Sequence, residues 1–146
     1  MYLLDTNIVS ADAPPKRQVG VEAFAAWLRA NNDRLYLSAI TIAEIEAGIA
    51  RMVRIGATTK AERLRRWLAA VEHFYAGRIL PFGVEEARHA GLMLDRARAH
   101  DPGFEDIAIA ATAAAHGFTV LTANVRHFEP LGVPLANPLK QLPVIR

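Results

Sequence analysis

The chain has no cysteine among its 146 residues. That removes disulfides, zinc–thiolate centres and thiol nucleophiles at once. It also lacks any apolar run near the roughly 20 residues needed to cross a bilayer. No basic segment precedes the four-residue apolar start, so neither a membrane span nor a signal peptide is expected, and a cytoplasmic location is. The loop after that start carries no glycine fingerprint, which argues against a dinucleotide-binding Rossmann domain. Charge is modest, 22% of residues against 52% hydrophobic, and this excludes a disordered chain. The net charge of +2 and a pI near 9.3 permit a nucleic-acid partner without demanding one. Any metal site must therefore be built from carboxylates, histidines, amides and waters.

What is present alternates. The runs "YLLD" (2–5), "RLYLS" (34–38), "GRILPF" (77–82) and "FTVLTA" (118–123) read as strands, with a weaker edge candidate at "GVPLANP" (132–138). Helical spacing joins Phe24, Trp27 and Leu28, and again Leu64, Trp67, Leu68, Val71 and Phe74. The alanine-rich "FEDIAIAATAAAHG" starts after "DPG" and stops at Gly117, a suitable C-terminal cap. This order predicts one α/β domain over 1–146: a three-layer sandwich with a mostly parallel sheet of four to five strands. A helical pair at about 41–76 projects from it, and "SADAPPKRQ" (10–18) reads as a surface loop.

Ligand sites in open α/β sheets form beyond the carboxyl ends of the strands. Asp5 ends the first run, as a turn residue or as a metal ligand. Thr41 and Glu44 match the S/T-x-x-E capping box, so Glu44 has a purely structural reading beside a functional one. Glu105 and Asp106 open the alanine-rich helix, where acidic residues complement the helix dipole. Close packing of that helix on the sheet would also hold a carboxylate rigidly. Asn124 follows the fourth run; His127, three residues on, could assist there but reads first as a surface histidine, because no neighbour has metal-ligand spacing. Asp5, Glu44, Asp106 and Asn124 thus fall on one edge. Converging carboxylates demand a cation, and oxygen-only ligands favour Mg²⁺ or Mn²⁺ and the hydrolysis of phosphodiesters.

The motifs "LLDTNIVS", "LSAITIAEIEAGI", "GRILPF", "EDIAIAATAAAHGFTVLTANVRHF" and the late "NP" resemble the PIN-domain ribonucleases, and within them the VapC/FitB-like toxins. The resemblance implies an Mg²⁺- or Mn²⁺-dependent endoribonuclease, the toxin of a toxin–antitoxin pair. It assigns the catalytic, metal-binding carboxylates to Asp5, Glu44 and Asp106, with Glu44 acting directly or through a water, and prefers Asp106 to Glu105. It makes Thr6 and Asn7 supporting residues. Where the family often has a fourth acid, this chain has Asn124, an amide that can coordinate through oxygen but brings no charge. RNA, a homodimer partner and a VapB-like antitoxin are the implied partners.

The stretch 51–66 carries Arg51, Arg54, Lys60, Arg63, Arg65 and Arg66 against Glu62 alone. Arg51, Arg54, Arg63 and Arg66 are the RNA-binding candidates, against the plainer reading of a solvated face. Lys16 and Arg17 form a weaker second cluster. Trp67, Phe74 and Tyr75 exceed what a domain edge needs and would fill the core or meet a partner. Two rivals remain. A haloacid-dehalogenase-like phosphatase would want a second aspartate where Asn7 stands. A non-catalytic PIN domain that only binds RNA or protein is suggested by Asn124.

Overall fold

The structure, a computed structural model, describes residues 1–11 and 21–145. The proline-bearing stretch from 12 to 18, with Lys16 and Arg17, lies outside the described residues. The strands are β1 (Tyr2–Leu4), β2 (Leu35–Ser38), β3 (Ile79–Leu80), β4 (Thr119–Leu121) and β5 (Leu135–Ala136). They form one sheet in the order β3-β2-β1-β4-β5, and every pairing is parallel. The weak run near residue 135 is indeed the edge strand.

Parallel strands need crossovers, and helices supply them. On one face lie α1 (Thr6–Ser10), α2 (Val21–Ala30), α3 (Ala39–Arg54) and α4 (Thr58–Phe74); α5 (Val84–Arg96) and α6 (Phe104–His116) cover the other. A short α7 (Val125–Phe128) follows β4. The pleat divides the strand residues between the layers. Leu4, Leu35, Leu37 and Leu121 point towards Ile45, Ile49, Leu68 and Val71. Leu3 and Val120, with Tyr36 beside them, face Met93, Ile107, Ala110 and Ala111. Sheets buried on both faces require continuous apolar runs rather than alternating ones, which explains why the strands carry no polar–apolar alternation. Gly117, at φ 68°, ends α6 in the left-handed turn that glycine adopts most readily.

The α3–α4 pair has a direction that matters below. α3 leaves β2 at the carboxyl edge of the sheet. α4 ends at the opposite edge, where Arg78 donates to the carbonyls of Leu35 and Phe74, at 2.6 Å each, and to the Asn32 carbonyl. At 1.5 Å per residue α4 is about 25 Å long, whereas a strand of three or four residues spans about 10 Å. The turn joining the pair, Ile55–Ala57, therefore overhangs the carboxyl edge.

Candidate active site

Asp5 is the first residue past β1 and is 4% exposed. Its backbone N–H still donates to the Leu121 carbonyl at 2.9 Å, so the sheet fixes its position. Both carboxylate oxygens are engaged: Oδ1 accepts from the Thr6 N–H at 2.7 Å, and Oδ2 from Thr122 Oγ1 at 2.8 Å. Thr122 Oγ1 in turn accepts the Asn124 N–H at 2.9 Å, which leaves its own proton for Asp5.

Glu44 is held from the other side. Its Oε1 accepts from Thr6 Oγ1 at 3.0 Å, and Thr6 Oγ1 lies 3.0 Å from Thr41 Oγ1. A hydroxyl has one proton. With Thr6's directed at Glu44, Thr41 donates to Thr6. The capping-box reading of Thr41 and Glu44 is overturned here. α3 is capped by Ser38, whose side chain accepts the Ile40 N–H, so Thr41 is already inside the helix and buried. Glu44 sits in the second turn, where it has no capping task.

Asp106 lies in the first turn of α6, half-buried, with its Oδ2 3.5 Å from His127 Nδ1. The His127 side chain is 65% exposed, as expected of a surface histidine, yet it faces the site. Asn124 is exposed at the start of α7 and its side chain makes no capping hydrogen bond. Asn7 Oδ1 is a buried acceptor with no partner among the described residues.

The carboxylates feel one another. Burial raises Asp5 above the ordinary carboxylate range; the Thr122 hydrogen bond opposes this and the charge of Asp106 adds to it. Burial also raises Glu44, opposed by Thr6 and reinforced by Asp5, Asp106 and Glu105. Asp106 is raised by burial, with His127 acting against it and Glu105 with it. Three elements distant in sequence thus place three carboxylates in one electrostatic neighbourhood. Among the described residues no three acidic or histidine side chains close around a point by themselves. Mg²⁺ characteristically keeps several waters and takes few carboxylates, so an all-oxygen set of this kind suits it with waters or phosphate oxygens completing the shell.

Thr122 is the partner that sequence reasoning missed, while His127, weighed there mainly as a surface histidine, stands beside Asp106. A signal for Thr122 existed: setting "LLD" beside "VLT" in the register Leu3↔Val120, Leu4↔Leu121 puts Thr122 next to Asp5. Arg51, Arg54, Arg63 and Arg66 are all exposed, and their side chains make no ion pair or hydrogen bond among the described residues. Trp67, Phe74 and Tyr75 line an apolar groove of about 300 Å³ between α1, α2 and α4, and no acidic residue lines it.

A model of the PIN domain matches residues 2–131. The chain belongs to the PIN-domain family. It is 38% identical over 143 residues to a VapC ribonuclease of Sinorhizobium fredii, covering 94% of this chain and 97% of that protein. It is 34% identical over 141 residues to toxin FitB of Neisseria gonorrhoeae, covering 94% and 98%. The crystal structure of FitAcB from Neisseria gonorrhoeae superposes with a TM-score of 0.80 at 34% identity, over 94% of this chain and 98% of that one. No helix among the described residues of this PIN-domain chain is long and apolar enough to cross a membrane.

Proposed function

We propose that this PIN-domain chain is an endoribonuclease that depends on Mg²⁺ or Mn²⁺ and serves as the toxin of a toxin–antitoxin pair. The observation that carries the reading is the shared electrostatic neighbourhood of Asp5, Glu44 and Asp106 at the carboxyl edge, with Asp5 and Glu44 each braced by a threonine hydroxyl. The similarity to a VapC ribonuclease and to toxin FitB supports it.

Asp5, Glu44 and Asp106 would hold the cation, with Asn124 able to add an amide oxygen. When bound, such an ion polarises a phosphate and lowers the pKa of a coordinated water. The chain's own part is positioning. Thr122 and Thr6 aim the carboxylates of Asp5 and Glu44 and favour their ionised forms, against the burial that favours the neutral ones. Asn7 leaves a buried oxygen free for a donor. Arg51, Arg54, Arg63 and Arg66 offer unpaired charge to the RNA backbone.

A VapB-like antitoxin is the proposed partner, supported by the likeness to FitAcB and to FitAB bound to DNA. A homodimer is proposed from the family resemblance. A second reading, a PIN domain that binds RNA without cutting it, is favoured by one observation: the exposed amide of Asn124 in place of an acid. Mn²⁺ titration calorimetry beside an RNA cleavage assay tests both, on wild type, Asp5→Asn and Asp106→Asn. Saturable Mn²⁺ binding and cleavage, both lost in the folded variants, support the nuclease. RNA binding with neither supports the second reading.

A further inference from the structure

Gly48 has neither of the two usual structural reasons for a helical glycine, a close neighbour or a left-handed backbone. It occupies the middle of the 16-residue α3, where glycine costs about 0.5–1 kcal/mol relative to alanine. Helical glycines are usually explained by a close neighbour, but a Cβ added at Gly48 would meet nothing within 4 Å. Its backbone is an ordinary helical one, so no turn requires it. The helix accepts a destabilising residue while the space beside it stays open.

The position of that space is informative. Residues three and four apart share a helix face, so Glu44, Gly48 and Arg51 form one stripe. Glu44 belongs to the acidic site, and Arg51 lies roughly 10 Å further along the axis at 1.5 Å per residue. The stripe climbs the overhanging part of α3, beyond the carboxyl edge. The stretch 51–66 around its far end holds six cations against Glu62. None of these six makes an ion pair among the described residues. Between Glu44 and Arg51 the exposed positions of α3 are Glu46, Ala47, Gly48 and Ala50, which give a protein partner no large apolar anchor. The one large apolar side chain in line, Ile55, is at the tip.

We propose that Gly48 is an RNA-approach position: the strand leaving the acidic site crosses α3 there, its backbone against the bare helix, and its next phosphates meet Arg51. This rests on the ribonuclease reading of the acidic edge. A side chain at residue 48 would lift the strand off the helix, which accounts for a glycine that the fold itself does not need.

The test exploits effects of opposite sign. The full chain, as wild type, Gly48→Ala, Gly48→Gln and Arg51→Gln, is titrated against a short labelled single-stranded RNA of mixed sequence. Binding is read by fluorescence anisotropy in EDTA, cleavage in Mn²⁺, and stability by thermal melting. Gly48→Ala is expected to raise the melting temperature by about 1–4 °C and yet weaken RNA binding. Gly48→Gln should weaken it further, by about tenfold. Arg51→Gln should weaken binding across sequences and reduce the slope of log K against log salt by somewhat less than one. If the wild type binds or cleaves RNA and Gly48→Gln does so equally well, the approach position is refuted while the ribonuclease stands. If Gly48→Gln changes only the oligomeric state in light scattering, a second copy covers this face and the proposal is again refuted. A wild type that neither binds nor cleaves RNA overturns the ribonuclease reading and this inference together.

Discussion

Replacing Thr122 by valine removes one hydroxyl from a fully buried position and leaves the volume nearly unchanged, so no cavity effect confuses the result. The hydroxyl makes two bonds: it donates to Asp5 Oδ2 at 2.8 Å and accepts the Asn124 N–H at 2.9 Å. Asn124 is exposed, so its N–H can turn to water. Asp5 is buried, and its Oδ2 cannot. The cost is therefore chiefly that of stranding one acceptor of a buried carboxylate, about 2–3 kcal/mol. For a chain of this length that is a fall of roughly 5–10 °C in melting temperature at neutral pH. The pH dependence is the sharper test. Burial already holds Asp5 above its ordinary value, and the Thr122 bond stabilises the charged form. Valine should raise Asp5 further. The gap between wild type and variant is full where Asp5 is ionised in both, and it closes as pH falls through the variant's higher pKa and then through that of the wild type. Thr122→Ser keeps the hydroxyl and should show no such pH dependence. Thermal melting of metal-free protein between neutral and mildly acid pH decides it. A valine variant that melts within a degree or two of wild type, or a gap that persists unchanged at low pH, refutes the assignment of Thr122 as the brace of Asp5.

Metal-free Asp106→Asn should melt at or above the wild type at pH 7. Asp106 is raised in the folded state, so its charge opposes folding above the ordinary value; Asp5 and Glu44 are raised too and remain in the variant, so wild type should gain more stability on mild acidification than the variant does. Saturating Mn²⁺ should raise the wild-type melting temperature, and Asp5→Asn should abolish the rise, as read by calorimetry with and without chelator. Glu86 has the opposite sign. Its carboxylate accepts the Gly83 N–H at 2.9 Å and lies 3.3 Å from His116 Nε2, and it is held below its ordinary value. Its contribution is present above that value and is lost as pH falls through the lowered pKa. Glu86→Ala should cost about 1 kcal/mol at pH 7 and progressively less in acid melts. Arg78→Lys should destabilise by about 2–3 kcal/mol in urea titration. Lysine cannot reproduce the forked contacts to Asn32, Leu35 and Phe74, nor the stacking over Tyr75 at 5.0 Å.

The layer order and the strands were legible because both faces of a parallel sheet are buried, which leaves short apolar runs bounded by turn residues. The acidic edge was legible for a related reason. Asp5 and Asn124 follow strands directly, and Asp106 opens the helix that precedes one, so topology alone assigns them to one side. Glu44 was ambiguous because S-A-I-T-I-A-E contains two possible caps, Ser38 and Thr41. Only the hydrogen bond that the Ile40 N–H donates to the Ser38 hydroxyl decides where α3 begins.

Residue type and local periodicity by themselves determined the fold class, the edge on which the candidate acids lie and the excess of cations at 51–66, while the choice of Asp106 over Glu105 came from the family resemblance. The tertiary structure alone decided which hydroxyl braces which acid. Thr6 reaches Glu44 across 38 residues and Thr122 reaches Asp5 across 117. No local pattern encodes such distances; they follow from the register of β1 against β4 and from the angle at which α3 leaves β2. The same holds for Gly48. A glycine in a helical pattern says nothing until the space around it is seen to be open, because its meaning lies in what the fold leaves out.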